Sequence, residues 1–397
     1  MLVQLNSLDL GGTQLNAIDF AQAVERHGYR SVVYGPLDTV PDSGPNLLDV
    51  ARERGVDVKG FWPSPTVIPT SAAALSRRAR AIGADIVHVY GAYGDPRSAY
   101  WGPCLAGRRP LVHTIYEMWV DPRGLQHDSL IIGTGYLRDE LAERPGPTML
   151  ISPPVDTTAD SPSVSLGDEF RASLGEIGQR RLIVIVSRLD LQMKSFPVET
   201  AIRAMRRLQG LCATLVVVGT GSEAERLEAL AESVNADASE PLVHFVGPLT
   251  DPRPAYAAAD VMLGMGGSAA RSLAFARPLV VQGERGTAEL FTQDTAASLF
   301  RRSFWSPEVQ EDPERVLAEA VRSLLENEAL RAELGDFGRA FAMESFSLDA
   351  MSVRLASVYE EALAGYGPAS WARDLRSEAP QLLAHLKGRM GLKRRAL

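Results

Sequence analysis

Short runs rich in Val, Ile and Leu recur along the first 150 residues, separated by stretches of helix length. They are LVQLNS (2 to 7), YRSVVYG (29 to 35), VDVKGF (56 to 61), DIVHVY (85 to 90), PLVHTIY (110 to 116), SLIIGTG (129 to 135) and TMLIS (148 to 152). Between the first two, Leu15, Ile18, Ala21 and Val24 repeat at helical spacing, and Gly28 closes the pattern. Runs that are apolar on both faces and alternate with helices predict a parallel sheet covered on both sides. Residues 153–170, PPVDTTADSPSVSLGDEF, break the rhythm as a linker. The alternation then restarts with RLIVIVSRL (181 to 189), ATLVVVG (213 to 219), LVHFVG (242 to 247), VMLGM (261 to 265) and PLVVQ (278 to 282). From 313 to 365 the pattern is helical, and 366-GYGPAS-371 opens a further segment. The expected class is α/β with two doubly wound parallel sheets, whose ligands bind in a cleft at the carboxyl ends of the strands.

A chain of 397 residues accommodates two such domains. Its formal charge of −8, with no dominant basic block in the body of the chain, disfavours a nucleic-acid binder. Two cysteines, Cys104 and Cys212, make a disulfide framework or a cysteine-based zinc site improbable. The N-terminus lacks the features of a signal peptide and no apolar run approaches a membrane span, so a cytoplasmic protein is expected.

Candidate chemistry gathers where strands run into turns. Gly11 and Gly12 let the backbone approach a phosphate or sugar closely, although two glycines also make a plain tight turn; the dinucleotide fingerprint G-x-G-x-x-G is absent. Arg188 and Lys194 follow the strand at 181 and are expected to share one diphosphate, the bland alternative being two solvated loop cations. The turns 219-GTGS-222 and 264-GMGGSAARSL-273 read as further anion nests. No D-x-D pair and no histidine cluster offers a metal site, and no cofactor is expected beyond a co-substrate.

These motifs in order, with 153-PPVD-156, 186-VSRLDLQMKSF-196, 217-VVGTGSEAERL-227, 243-VHFVGPLTDPRPAYAAADV-261, 278-PLVVQGERGTAEL-290 and 346-FSLDAMSVRLASVYEEAL-363, resemble the nucleotide-sugar-dependent glycosyltransferases of family four. The resemblance covers roughly residues 1 to 365. It implies the GT-B fold, two Rossmann-like domains facing a central cleft: an acceptor domain at 1–157, a donor domain at 158–345, and helices from 346 to 397 packing back on the first domain. It implies a retaining, metal-independent transferase that takes a nucleoside-diphosphate sugar and a small-molecule acceptor. Arg188 and Lys194 would act on the leaving diphosphate. Gly11, Gly12, Gly219, Gly247, Gly266, Gly267, Ser268, Arg271 and Glu289 would surround the donor, and His88, Tyr116 and Glu117 the acceptor.

The departures from the family pattern are specific. Relatives carry two glutamates before a segment like EAMACGKP, whereas this chain reads 264-GMGGSAARSLAFARP-278. Aligned on Pro278, Arg271 stands where the second, ribose-binding glutamate belongs, and Ala276 replaces the glycine. Arg271 exchanges an acceptor for donors, so either the ribose is held by backbone groups of Gly266 to Ser268 or by Glu289, with Arg271 against Glu289 or a donor phosphate, or the donor is unusual, or activity is lost. The slot that often holds a histidine holds Tyr116, followed by Glu117, while His113 reads as a packing residue. A non-catalytic partner of the same fold and a sugar-nucleotide epimerase are the alternatives. The tail 381–397, with Lys387, Arg389, Lys393, Arg394 and Arg395, reads as a frayed basic terminus in preference to a membrane contact.

Overall fold

The computed structural model describes residues 1–40, 46–62, 68–91, 95–191 and 193–393. The chain divides into two compact units, Met1–Pro154 with Leu348–Leu397 and Val155–Ser347.

In the first unit, seven strands form one all-parallel sheet. They are β1 (Leu2–Gln4), β2 (Val32–Pro36), β3 (Asp57–Phe61), β4 (Val87–Tyr90), β5 (Leu111–Ile115), β6 (Ser129–Ile132) and β7 (Thr148–Leu150), in the order β3-β2-β1-β4-β5-β6-β7. The order reverses between β1 and β4, which sets the β1 and β4 carboxyl ends side by side. Side chains alternate across the sheet. Ile86, Val112 and Ile131 pack with Phe20 and Val24 of the first helical region and with Met351, Leu355 and Tyr359 of the helix Leu348–Gly365. Val87, Val89 and Leu111 face the other way, onto Leu75 and Ala79 of the helix Ile68–Ala81. The returning helix Leu348–Gly365 is therefore part of this unit's core.

The second unit holds β8 (Arg181–Val186), β9 (Ala213–Val218), β10 (Val243–Gly247), β11 (Val261–Gly264), β12 (Leu279–Gln282) and β13 (Ala288–Leu290), in the order β10-β9-β8-β11-β12-β13. Five of these strands are parallel; β13 turns back antiparallel on β12, pairing Val280 with Leu290. Its run, Ala-Glu-Leu, is too short and too polar to stand out in the hydrophobic pattern. The stretch from 313 to 365 breaks into the helices Pro313–Glu326, Glu328–Ser345 and Leu348–Gly365; Asn327 caps the second of them through a bond from the Leu330 amide.

Candidate functional site

The carboxyl ends of β8 and β9 build the most distinctive feature of the second unit. Beyond β8 the chain enters the loop 187–194, and Lys194 is the N-cap of the helix Ser195–Ala204. Beyond β9, Gly219 has φ of +143°, and a Cβ there would collide with the Ser187 carbonyl; one at Gly221 would strike Leu189. The two loops are laced by Ser187 N–H to Val218 O (3.0 Å), Leu189 N–H to Thr220 O (2.9 Å) and Glu223 N–H to Leu189 O (2.8 Å). The glycines of the GTGS turn thus have a packing role of their own. They permit the backbone approach that fixes the loop carrying the two cations.

Those two cations differ in environment. Arg188 is 81% exposed in its side chain and lies 3.4 Å from Asp190, so the desolvation expected of a strand-end cation does not apply to it. Lys194 is partly buried and has no hydrogen-bonded or ionic partner among the described residues. Burial, together with the charge of Arg188 nearby, brings its ammonium down to about 8. The N-terminus of the helix Ser195–Ala204 adds its positive end at the same place. An uncompensated ammonium beside a guanidinium and a helix N-terminus is an arrangement completed by an anion.

A second turn of this kind follows β11. Gly266 is the N-cap of the helix Gly267–Ala274 with φ 57° and ψ −129°, a conformation open to glycine. A Cβ at Gly266 or Gly267 would meet nothing within 4 Å, so the backbone there faces open space. The Gly266 amide is bonded to Phe304 O (3.1 Å), and the Ser268 hydroxyl donates to Met265 O (3.0 Å). The backbone of Gly267 and Ser268 is what remains to receive a ligand. Gly247, at φ +81°, accepts from the Gly219 amide at 2.9 Å and belongs to the scaffold behind the β9 turn.

Arg271 and Glu289 are not partners. Arg271 Nε lies 2.7 Å from Asp160 Oδ2, whose side chain is 4% exposed, while Glu289 accepts from Arg302 at 3.0 Å. Burial raises the Asp160 carboxyl, against the pull of Arg271. Arg339 adds a clamp: its guanidinium donates to the carbonyls of Asp160 (3.0 Å) and Thr157 (2.9 Å). Arg271 and Arg339 thus bind the segment that leads into this unit. Ala276 has a left-handed φ of +54°.

In the first unit, the expectation that His88 borders the ligand cleft is overturned. His88 is fully buried, with Nδ1 2.7 Å from the Tyr359 hydroxyl, Nε2 2.7 Å from the Thr114 hydroxyl and Tyr90 stacked on its ring at 4.3 Å. Burial, and the charge of His113, hold its imidazolium down at about 3, so the ring is neutral and both nitrogens are occupied. The partner that sequence reasoning missed is Tyr359, 271 residues away. His113 is also enclosed, its Nε2 donating to Gly91 O at 2.9 Å. Tyr116 and Glu117, just beyond β5, are different: the Tyr116 hydroxyl and Glu117 Oε2 are buried with no hydrogen-bond partner. Burial raises the Tyr116 phenol well above its usual range, so it remains a donor. Gly11 caps the helix Gly12–Ala23, a Cβ on it would collide with the Gln14 side chain, and Gln14 in turn donates to Asn6 Oδ1 at 2.9 Å. Gly12 faces open space. The β1 turn is thereby fixed from both sides, with Gly12 at its surface.

Comparison with known proteins bears on both units. Residues 180–327 match the family model described as Glycosyl transferases group 1. That span contains the β8 loop, the β9 turn and the β11 turn. The Anabaena protein HepE, solved with UDP and separately with UDP-glucose, is similar at 17% identity; in its UDP complex the match covers 91% of this chain and 99% of that one, with a TM-score of 0.69. A Rickettsia africae glycosyltransferase superposes with a TM-score of 0.71 at 14% identity, over 92% and 98% of the two chains. WaaG, a glycosyltransferase involved in lipopolysaccharide biosynthesis, gives 0.59 at 15% identity over 90% and 99%. The fold is GT-B. A search among curated proteins finds no match.

Among the described residues no group of three His, Cys, Asp or Glu side chains is placed to hold a metal, and no helix is long and apolar enough to cross a membrane. The helix Leu375–Lys393 contains much of the basic tail, but the side chains from residue 387 onward lie outside the described residues.

Proposed function

We propose that this protein is a glycosyltransferase that moves a sugar from a nucleoside-diphosphate donor to a hydroxyl or amine of a small acceptor, with retention and without a metal ion. The observation that carries the reading is Lys194: a partly buried ammonium with no anionic partner, lowered to about 8, on a loop fixed by Gly219 and Gly221, within the segment that matches the Glycosyl transferases group 1 model. The donor supplies the missing anion. HepE binds UDP and UDP-glucose, which supports a nucleotide sugar as the ligand class.

In this mechanism the glycosidic bond to the diphosphate breaks as the acceptor oxygen or nitrogen bonds to the anomeric carbon on the face the leaving group vacates. Negative charge grows on the departing phosphate oxygen, and Lys194, Arg188 and the helix N-terminus stabilise it more strongly than in the ground state. That phosphate oxygen takes the acceptor proton, so no side-chain base is required. The backbone of Gly267 and Ser268 is assigned to the nucleoside side of the donor. Tyr116 and Glu117 are assigned to the acceptor: their unpartnered phenol and carboxylate oxygen supply one donor and one acceptor for a sugar-like ligand.

The Arg271–Asp160 pair favours a second reading, a nucleotide-sugar binder without transferase activity, because the carboxylate that relatives direct at the ribose is replaced by a residue committed elsewhere. Calorimetric titration with UDP, GDP, ADP and dTDP, followed by transfer assays with the matching labelled sugars, separates the two. Binding and transfer that both collapse in Lys194→Ala establish the enzyme. Tight binding without transfer or hydrolysis across a broad acceptor panel establishes the binder, and conversion of the donor alone to an epimer would replace both.

A further inference from the structure

A groove of about 340 Å³ lies on the outer side of the first unit, between the helix Ile68–Ala81 and the segment 101–109. This helix covers the sheet face opposite to the helix Leu348–Gly365, so the groove is separate from the sealed His88 cluster. At one wall Gly102 packs closely, since a Cβ there would press on the carbonyls of Ala72 and Ser98 at 2.5 and 2.6 Å.

The lining is polarised along the helix. Ile68, Ala72 and Ala73 come first, with Leu105 and Leu382 across from the helix, and Ser76 and then Arg80 follow. Arg108 and Arg109 join Arg80 in the lining, just before β5 begins. None of the three arginines forms an ion pair with a carboxylate among the described residues. Arg80 Nε reaches only the Ser76 carbonyl at 3.3 Å, and Arg109 Nε the Ala84 carbonyl at 2.5 Å. Arg97, Arg144 and Arg171, by contrast, each hold an acidic partner. Trp101 also lines the groove, and its Nε1 is buried with no hydrogen-bond partner. Three guanidiniums and an indole N–H are all donors, and no carboxylate lines the groove to answer them.

We propose that this groove binds a single molecule of a phosphate ester carrying an apolar chain, with the chain along Ile68, Ala72 and Leu382 and the phosphate on Arg80, Arg108 and Arg109. The volume falls within the range of small-molecule sites, and the guanidinium fork matches phosphate oxygens two at a time. The proposal does not depend on glycosyl transfer, since none of these residues belongs to the Lys194 site.

The test uses the full chain and decyl phosphate below its micelle concentration, read by calorimetry and tryptophan emission, with decyl maltoside and inorganic phosphate as controls. Decyl phosphate should bind saturably and at least tenfold more tightly than either control, and raised salt should weaken it. Arg80→Gln combined with Arg108→Gln should reduce affinity at least tenfold. Ala73→Trp, which fills the groove, should do the same, and in both cases thermal unfolding should be close to wild type. Trp101→Phe should remove most of the emission change. Equal binding of decyl phosphate and decyl maltoside, insensitivity to the arginine pair, or binding only to phosphatidylglycerol vesicles and not to the monomer would overturn the proposal. A failure of all transferase assays would leave this result unaffected.

Discussion

His88 lies within a parallel strand of the first unit and Lys194 in the loop beyond a parallel strand of the second, and burial drives both toward neutrality, yet their surroundings are opposite. The first unit closes around its histidine with Tyr359, Thr114 and Tyr90, so that every polar atom of the ring has an answer within the fold. The second unit leaves its lysine unanswered beside another cation. A saturated polar cluster contributes to the fold, whereas an unsaturated one costs the fold something and is retained for a ligand. Burial alone does not distinguish them; the count of partners does.

Substitution at the two positions should therefore have opposite effects on stability. His88→Ala should destabilise the protein by about 4 kcal/mol, since it leaves a cavity and strands two buried hydroxyls, and chemical denaturation measures this. Lys194→Met should lower turnover on the order of 10²-fold or more at saturating donor while raising stability by about 1 kcal/mol. A Lys194→Met protein that is less stable than wild type, or that turns over normally, would break the comparison.

The pH responses sharpen it. For His88 the folded value, about 3, is below the unfolded value of 6.5. Between the two, the unfolded chain binds the extra proton, so stability should fall as pH drops below 6.5, by up to about 1.4 kcal/mol per unit. His88→Gln should show a shallower acid limb. For Lys194 the folded value, about 8, is below 10.5, so its destabilising effect is complete below 8 and disappears as pH rises toward 10.5. Donor binding needs the charged ammonium, and affinity for the nucleoside diphosphate should weaken up to about tenfold per pH unit above 8. Lys194→Arg should remove that dependence, because a guanidinium stays charged.

The smallest effect concerns Ala276. Restoring the glycine at its left-handed φ should stabilise the protein by about 1 kcal/mol, read as a shift in denaturation midpoint, with donor affinity unchanged.

The strands of both sheets except β13 were legible in the sequence: β4, β5 and β9, buried on both faces, read as uninterrupted apolar runs, whereas the largely exposed β3 was legible only from the rhythm of runs and helix-length stretches. The short, half-exposed β13 has no such signature. At the candidate site, the two cations that follow β8 stand out in the sequence, but that Arg188 is exposed while Lys194 is desolvated depends on the fold. The pairings that decide other roles were not legible. Arg271 with Asp160, Glu289 with Arg302 and His88 with Tyr359 depend on tertiary proximity that no local pattern encodes. The turn 219-GTGS-222 shows the same limit: its glycines read as a ligand cradle, yet Gly219 and Gly221 are needed for backbone packing.

The first unit is built from two separated parts of the chain, Met1–Pro154 and Leu348–Leu397, and its central histidine is bonded to Tyr359. During synthesis, every residue of the second unit is added, and emerges from the ribosome, ahead of Tyr359. The unit encoded in the middle can therefore complete its core first, while the sheet that begins the chain waits with Ile86, Val112 and Ile131 lacking their helical cover. A nascent chain stalled before residue 348 would expose that apolar face, the form most in need of a chaperone.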